Sequence, residues 1–163
     1  MRYDDPGGTP DALPSAEGLR FALAISRFNA SVTDSLANAA RQALTSAGAH
    51  DRDVEEVWVP GAYELPQAAR ALAQTGRFDA IVCLGCVIRG ETPHFEYISS
   101  AVAHGVMQAS ADTGIPIAFG VLTTDTMKQA EEHSAAGRDN KGWEAAAAAI
   151  EMAMLFRQLR SDV

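Results

Sequence analysis

The sequence predicts an α/β domain, and two features carry this prediction. Four short segments rich in apolar residues each precede a segment with helical spacing, an alternation that gives parallel strands joined by right-handed crossover helices. Residues 80–86 are almost entirely small or apolar, as expected for a strand that is covered on both faces. The predicted architecture is a three-layer sandwich of the flavodoxin-like type, with a four-stranded parallel sheet between helices on both faces.

The individual elements follow from the apolar runs and from the residues that end them. The predicted strands are residues 19–26, 54–59, 80–86 and 117–122. The predicted helices are residues 33–47, 65–74, 95–113, 127–133 and 143–160. Thr33 and Asp34 offer an N-cap for the first helix, and Gly48 follows its end. Ligands bind at the carboxyl ends of the strands in such sheets, so we expect the site in the loops at 27–32, 60–64, 87–94 and 123–127.

Composition limits the domain organisation. The chain has 163 residues, of which 47% are hydrophobic and 21% are charged, so one domain with a sizeable core is expected. Residues 1–18 hold three of the seven prolines and the pair Gly7-Gly8. We therefore predict a flexible N-terminal arm over residues 1–18 and a single domain over residues 19–163.

Charge and motifs exclude several classes of partner. The formal net charge is −8 and no Lys/Arg cluster is present, which argues against nucleic acid. No apolar run reaches the roughly 18 residues of a membrane span, and the first ten residues lack an apolar signal core, so we expect a cytoplasmic protein without a membrane partner. Neither a dinucleotide-binding glycine motif nor a P-loop occurs.

Cys83 and Cys86 have no further Cys or His close in sequence, so we interpret them as buried thiols and predict no metal site.

The junction between the third strand and its helix is the first candidate for chemistry. Glu91 and Thr92 lie at the predicted helix N-terminus, and Pro93 suits the first turn. Backbone N–H groups there, with the Thr92 hydroxyl, are suited to an anion, and His94 can transfer protons near neutral pH. The same residues also fit an ordinary crossover turn with a capping threonine and a surface histidine. These residues alone leave both interpretations open.

Other candidates have similarly divided interpretations. Phe28 follows the first strand, where its ring either stacks on a planar heterocycle or folds back onto the next helix. Glu64 either accepts hydrogen bonds from a polyhydroxyl ligand or stabilises the positive end of its helix. His133 and Lys141 either lie near a phosphate or are solvated. Arg89 either contacts phosphate or pairs with an acidic residue.

Five segments, taken in their order along the chain, are more specific than any single residue. They are RFN (27–29), PGAYELP (60–66), GCVIRGETPHFEY (85–97), GVLTTDTMKQA (120–130) and NKGWEAA (140–146). Together they resemble the 6,7-dimethyl-8-ribityllumazine synthase family over about residues 19–159. The resemblance implies condensation of 5-amino-6-(D-ribitylamino)uracil with L-3,4-dihydroxy-2-butanone 4-phosphate, without a cofactor, in riboflavin biosynthesis.

The resemblance also implies roles for individual residues. His94 would be the proton-transfer residue, and Phe28 would stack on the pyrimidinedione ring. Phe119 would come from the neighbouring subunit. The residues implied to bind the pyrimidine and ribityl groups are Phe28, Asn29, Ala62, Glu64, Val87, Ile88 and Phe119. Those implied to bind phosphate are Gly90, Glu91, Thr92, His133 and Lys141.

One position departs from the family pattern. Family members usually carry an arginine where this chain has His133. Histidine offers a single N–H toward the anion and is largely neutral at pH 7, whereas arginine is charged and bidentate. We therefore expect weaker binding of the butanone phosphate, or compensation by Lys141, Arg138 or Arg89.

The remaining expectations concern the assembly of subunits and two alternative functions. The family forms pentamers, in some members packed into decamers or shells of sixty subunits, and the resemblance implies riboflavin synthase as an additional partner. A catalytically weak relative that binds flavin or lumazine, or only forms a shell, is the main alternative, and the His133 departure supports it. A flavodoxin-type electron carrier fits less well, because the loop at 27–32 is not rich in Ser and Thr.

Overall fold

The computed structural model describes residues 12–162 and confirms the predicted α/β sandwich. Strands β1 (Phe21–Ser26), β2 (Val54–Val59), β3 (Ala80–Ile88) and β4 (Ile117–Thr124) form one parallel sheet in the order β2-β1-β3-β4. The helices are α1 (Ala30–Ser46), α2 (Leu65–Gln74), α3 (His94–Thr113), α4 (Met127–His133) and α5 (Lys141–Ser161). Short 3-10 turns at Asp51–Asp53 and Ala62–Glu64 flank β2. None of the helices within residues 12–162 combines the length and apolar content needed to cross a bilayer.

The core lies in two layers, one on each face of the sheet. Helices α1 and α5 cover the face that carries Phe21, Leu23 and Ile25 of β1. Helices α2 and α3 cover the opposite face, which carries Ala22 and Ala24. Because both faces are covered, every side chain of β1 is buried, which explains why this strand is apolar up to its last residue, Ser26.

The strand order determines where a ligand site can form. From β1 the chain passes through α1 to β2 on one side, whereas from β3 it passes through α3 to β4 on the other side. The direction of winding therefore reverses between β1 and β3. Open parallel sheets leave a crevice at such a switch point, outside the carboxyl ends of the two strands. The loops that follow β1 and β3 flank this crevice.

Several boundaries differ from the sequence prediction. Strands β3 and β4 continue to Ile88 and Thr124, because these residues pair with each other at the end of the ladder. Helix α1 begins at Ala30, so the predicted N-cap at Thr33 and Asp34 is wrong. Thr33 is buried inside the helix, and its hydroxyl faces the Ala30 carbonyl at 3.5 Å.

The start of α5 also differs. The Asn140 side chain accepts a hydrogen bond from the Gly142 N–H at 2.7 Å, and the helix begins at Lys141 instead of residue 143. An asparagine in this position satisfies an N–H group that has no partner within the helix.

Residues 12–18 lie against the domain. Ala16 is fully buried, and its N–H donates to the Ala47 carbonyl at 2.7 Å. Leu13 packs against the same core. Residues 1–11 lie outside the described part of the chain, and the division into an arm and a domain at residue 18 stays a prediction.

Candidate active site

A cavity of about 390 Å³ lies at the switch point between β1 and β3. It is called the switch-point cavity below. Seven residues that the sequence singled out line it: Phe28, Ala62, Val87, Ile88, Gly90, Thr92 and His94. Asn29, Glu64 and Glu91 belong to the same loops but do not line the cavity.

Phe28 and Asn29 form the turn between β1 and α1. The Phe28 side chain is 68% exposed, so the ring does not fold back onto the helix. Asn29 adopts a left-handed conformation with φ 59°, and its side-chain N–H donates to the Cys86 carbonyl at 3.1 Å. The ring is therefore available to a ligand, at the edge of the cavity that it lines.

His94 is the first residue of α3, and its imidazole is exposed toward the cavity that it lines. Pro93 occupies the N-cap position, and no side chain caps the helix there. The capping role considered for Thr92 is therefore not observed, and Thr92 lines the cavity instead. The uncapped helix terminus places partial positive charge on this side of the cavity.

Val87 and Ile88 are the last residues of β3 and are half-buried. They pair with Thr123 and Thr124 of β4, which extends the strand into the cavity wall. Ala62, which lines the cavity, and Glu64, which does not, belong to the 3-10 turn before α2. Ala62 is buried and Glu64 is half-buried.

A second cavity, of about 460 Å³, lies along the outer edge of β4 beside α5. It is called the edge cavity and gathers Phe119, His133 and Lys141, together with Glu144. The Lys141 ammonium donates to both carboxylate oxygens of Glu144, at 2.9 and 2.8 Å. Phe119 is 44% exposed. The edge cavity and the switch-point cavity share no lining residue, so one chain does not bring all the predicted residues together.

Arg89 lies beside the switch-point cavity and is held by acidic residues. Its Nε donates to Asp125 at 2.8 Å, a second N–H bonds to Glu96, and the guanidinium lies 4.4 Å from the centre of the Phe95 ring. These hydrogen bonds, first to Asp125 and then to Glu96, raise the pKa of Arg89, and Arg89 lowers the pKa of Glu96. Two roles were considered for Arg89, a contact with phosphate and pairing with an acidic residue, and the structure shows the second.

Some lining residues were missed by the sequence analysis. Tyr63, Phe95 and Ile98 line the switch-point cavity, and Glu144 lines the edge cavity. Tyr63 is 61% exposed in a loop at the carboxyl end of a strand, the same signal that identified Phe28. Glu144 had no such signal, because its importance depends on the position of Lys141 in space.

The two cysteines are buried and free, as predicted. Burial raises the pKa of Cys83 to about 12 and that of Cys86 to about 11. Among the residues from 12 to 162, no group of three or more His, Cys, Asp or Glu side chains is placed to hold a metal ion.

Two comparisons with known proteins agree with each other. A family model described as 6,7-dimethyl-8-ribityllumazine synthase matches residues 18–157. A relative from Syntrophus aciditrophicus (strain SB), named 6,7-dimethyl-8-ribityllumazine synthase, is 54% identical over 144 residues. That alignment covers 88% of this chain and 94% of the relative.

Proposed function

Because the chain belongs to the 6,7-dimethyl-8-ribityllumazine synthase family, we propose that it makes 6,7-dimethyl-8-ribityllumazine for riboflavin biosynthesis. Its substrates are 5-amino-6-(D-ribitylamino)uracil and L-3,4-dihydroxy-2-butanone 4-phosphate, and it releases phosphate and water. The observation that carries the proposal is the switch-point cavity, where an exposed aromatic ring, Phe28, and an imidazole, His94, line one space at the expected end of the sheet.

The residues of this cavity match the chemistry. An amine attacks the ketone, water leaves to give an imine, phosphate is eliminated, and a second amine closes the ring with loss of a second water. Each step moves a proton, and His94 is the side chain in the cavity that can give and take protons near neutral pH. Phe28 stacks on the pyrimidinedione ring, and Val87 and Ile88 bind it through their backbone groups. Ala62 and Glu64 hold the ribityl chain.

We place the phosphate between two subunits. Gly90, Glu91 and Thr92 contribute from the loop at the α3 N-terminus, where the helix dipole favours an anion. His133 and Lys141 contribute from the edge cavity of the neighbouring chain, together with Phe119. This arrangement is supported by the separation of the two cavities within one chain and by the exposure of Phe119 on the outermost strand.

A shared site implies a homo-oligomer. We propose a pentamer, the unit that also builds shells of sixty subunits, with riboflavin synthase as a partner that receives the product. The cytoplasmic location expected from the sequence stays a prediction.

The direct test is formation of the product. Purified protein is incubated with both substrates, and the lumazine is followed by its fluorescence, with each substrate omitted in turn as a control. Product that appears only with both substrates supports the proposal. If no product forms while a lumazine still binds, the chain is instead a binding relative without the synthase activity.

A further inference from the structure

We propose that Asn29 is a positioning residue that fixes the Phe28 ring over the switch-point cavity. Its amide links the turn after β1 to the end of β3. This inference rests on the proposed function, because it assigns Phe28 the task of stacking on the pyrimidine.

The first observation is the backbone of Asn29. With φ 59° and ψ 51°, it is the one non-glycine residue at positive φ within residues 12–162. Only glycine, and to a lesser degree asparagine and aspartate, adopts this conformation at low cost. The conformation turns the chain sharply after Phe28, so that α1 begins at the next residue.

The second observation is the hydrogen bonding on both sides of the turn. The Asn29 side chain donates to the carbonyl of Cys86, a residue 57 positions away that lines the cavity. The Asn29 carbonyl accepts from the N–H groups of Val32 and Thr33, at 3.0 and 3.1 Å. Asn29 is thus bound to β3 through its side chain and to α1 through its backbone.

Phe28 depends on these bonds. Its side chain is 68% exposed, so packing does little to hold the ring. On its N-terminal side, the Arg27 N–H donates to the Val59 carbonyl at 2.8 Å. On its C-terminal side, the bond from Asn29 to Cys86 is the constraint. The ring is therefore positioned by the backbone on either side of it.

The resemblance to the family implied that Asn29 contacts the substrate, and the positioning role is a different one. Asn29 does not line the cavity, and one of its amide N–H groups is already bound to Cys86. Its effect on the substrate then passes through Phe28.

Two variants test the side-chain hydrogen bond of Asn29 separately from its backbone conformation. Asn29→Gly permits the positive φ but has no side chain, and Asn29→Asp tolerates this φ but has no N–H to donate at neutral pH. For both we expect the KM of the pyrimidine substrate and the Kd of bound lumazine to rise roughly tenfold, with kcat changed less than about twofold. Asn38→Asp, an exposed position on α1, is the matched control and should leave all three constants unchanged.

A double-mutant cycle tests whether the effect passes through Phe28. Phe28→Ala combined with Asn29→Gly should have a KM within about twofold of that of Phe28→Ala alone, because the residue being positioned is gone. Multiplicative losses would instead show that Asn29 contacts the substrate directly, and unchanged KM and Kd in both Asn29 variants of an active enzyme would also overturn the inference. If the wild-type protein forms no lumazine from the two substrates, the proposed function is contradicted. The wild-type reaction, measured alongside the variants, distinguishes that result from a failure of the positioning role.

Discussion

At the scale of single residues, two histidines of α3 differ in their surroundings. His94 lines the switch-point cavity, whereas the His104 ring nitrogen lies 2.8 Å from the Ser100 carbonyl, outside both cavities. We expect His94→Ala to lower kcat by roughly ten- to a thousandfold and to leave residual activity, because substrate positioning persists without the proton-transfer group. Steady-state kinetics measures this, and His104→Ala is the control, expected to retain full activity. Full retention in His94→Ala would refute the proton-transfer role.

His133 gives a second prediction at this scale. Lys141 is paired with Glu144, which offsets part of the positive charge that Lys141 offers to an incoming phosphate. His133→Arg should lower the KM of the butanone phosphate by about three- to tenfold, because arginine adds a permanent charge and two parallel donors. His50→Arg is the control, because it adds the same charge at an exposed position outside both cavities. An unchanged or higher KM in His133→Arg would mean that this position does not limit phosphate binding.

Local signals in the sequence selected two residues, Phe28 and His94, that line the switch-point cavity, while their roles stay predictions. Phe28 and His94 were identified because each is an unusual residue type at the carboxyl end of a predicted strand. The pairing of Arg89 with Asp125 was not specified, because the two residues are 36 positions apart and the sequence offered many acidic partners. The same reason applies to the bond between Asn29 and Cys86.

At the scale of elements, α1 and α5 approach each other closely at Gly142. A Cβ at this position would collide with the Leu36 carbonyl of α1. We expect Gly142→Ala to lower the free energy of unfolding by about 1–3 kcal/mol, because the helices must separate to accept the methyl group. Denaturant unfolding measures the change. Gly90→Ala is the control for stability, since its Cβ would meet nothing within 4 Å, and a Gly142→Ala variant as stable as this control would contradict the packing argument.

Burial of β3 on both faces predicts a dependence of stability on pH. Burial raises the pKa of Cys83 from 9.0 to about 12, so the unfolded chain loses this proton at lower pH than the folded protein. The stabilisation is complete below about pH 9 and is lost as the pH rises toward 12. Unfolding under reducing conditions between pH 7 and pH 10.5 should show this decline, with a smaller slope in Cys83→Ala. If stability declines equally with pH in the wild-type protein and in Cys83→Ala, Cys83 is not the cause of the decline.

Element boundaries were predicted where local signals determine them. β2, α2 and α4 have the predicted bounds, with Pro66 and Gly76 marking α2. The start of α1 was predicted wrongly, because a left-handed asparagine is stabilised there by a bond to a distant strand. The ends of β3 and β4 were placed too early, since the two strands extend by pairing with each other.

At the scale of the whole molecule, a site shared between chains predicts complementation. His94→Ala chains carry an intact edge cavity, and Lys141→Ala chains carry an intact switch-point cavity. When the two variants are unfolded and reassembled together, about a quarter of the seams should combine both intact halves, and activity at low butanone phosphate should exceed that of either parent. Variants assembled separately and then mixed are the control. Activity equal to the average of the parents would place the complete site within one chain.

Native mass spectrometry gives an independent measurement of assembly. The chain has a mass of 17.3 kDa, and we expect species that contain five chains or a multiple of five. A predominant monomer with full activity would contradict the shared site.

β4 forms one margin of the sheet, and the edge cavity borders it. A chain separated from its neighbours keeps its own core, since the central strands are covered by its own helices. Under the proposed shared site, a single chain would be folded but inactive, because each of its two cavities would supply only half of a different active site. Turnover per chain should therefore collapse on dilution while the circular dichroism spectrum stays constant, which would make subunit concentration itself a regulator of the rate.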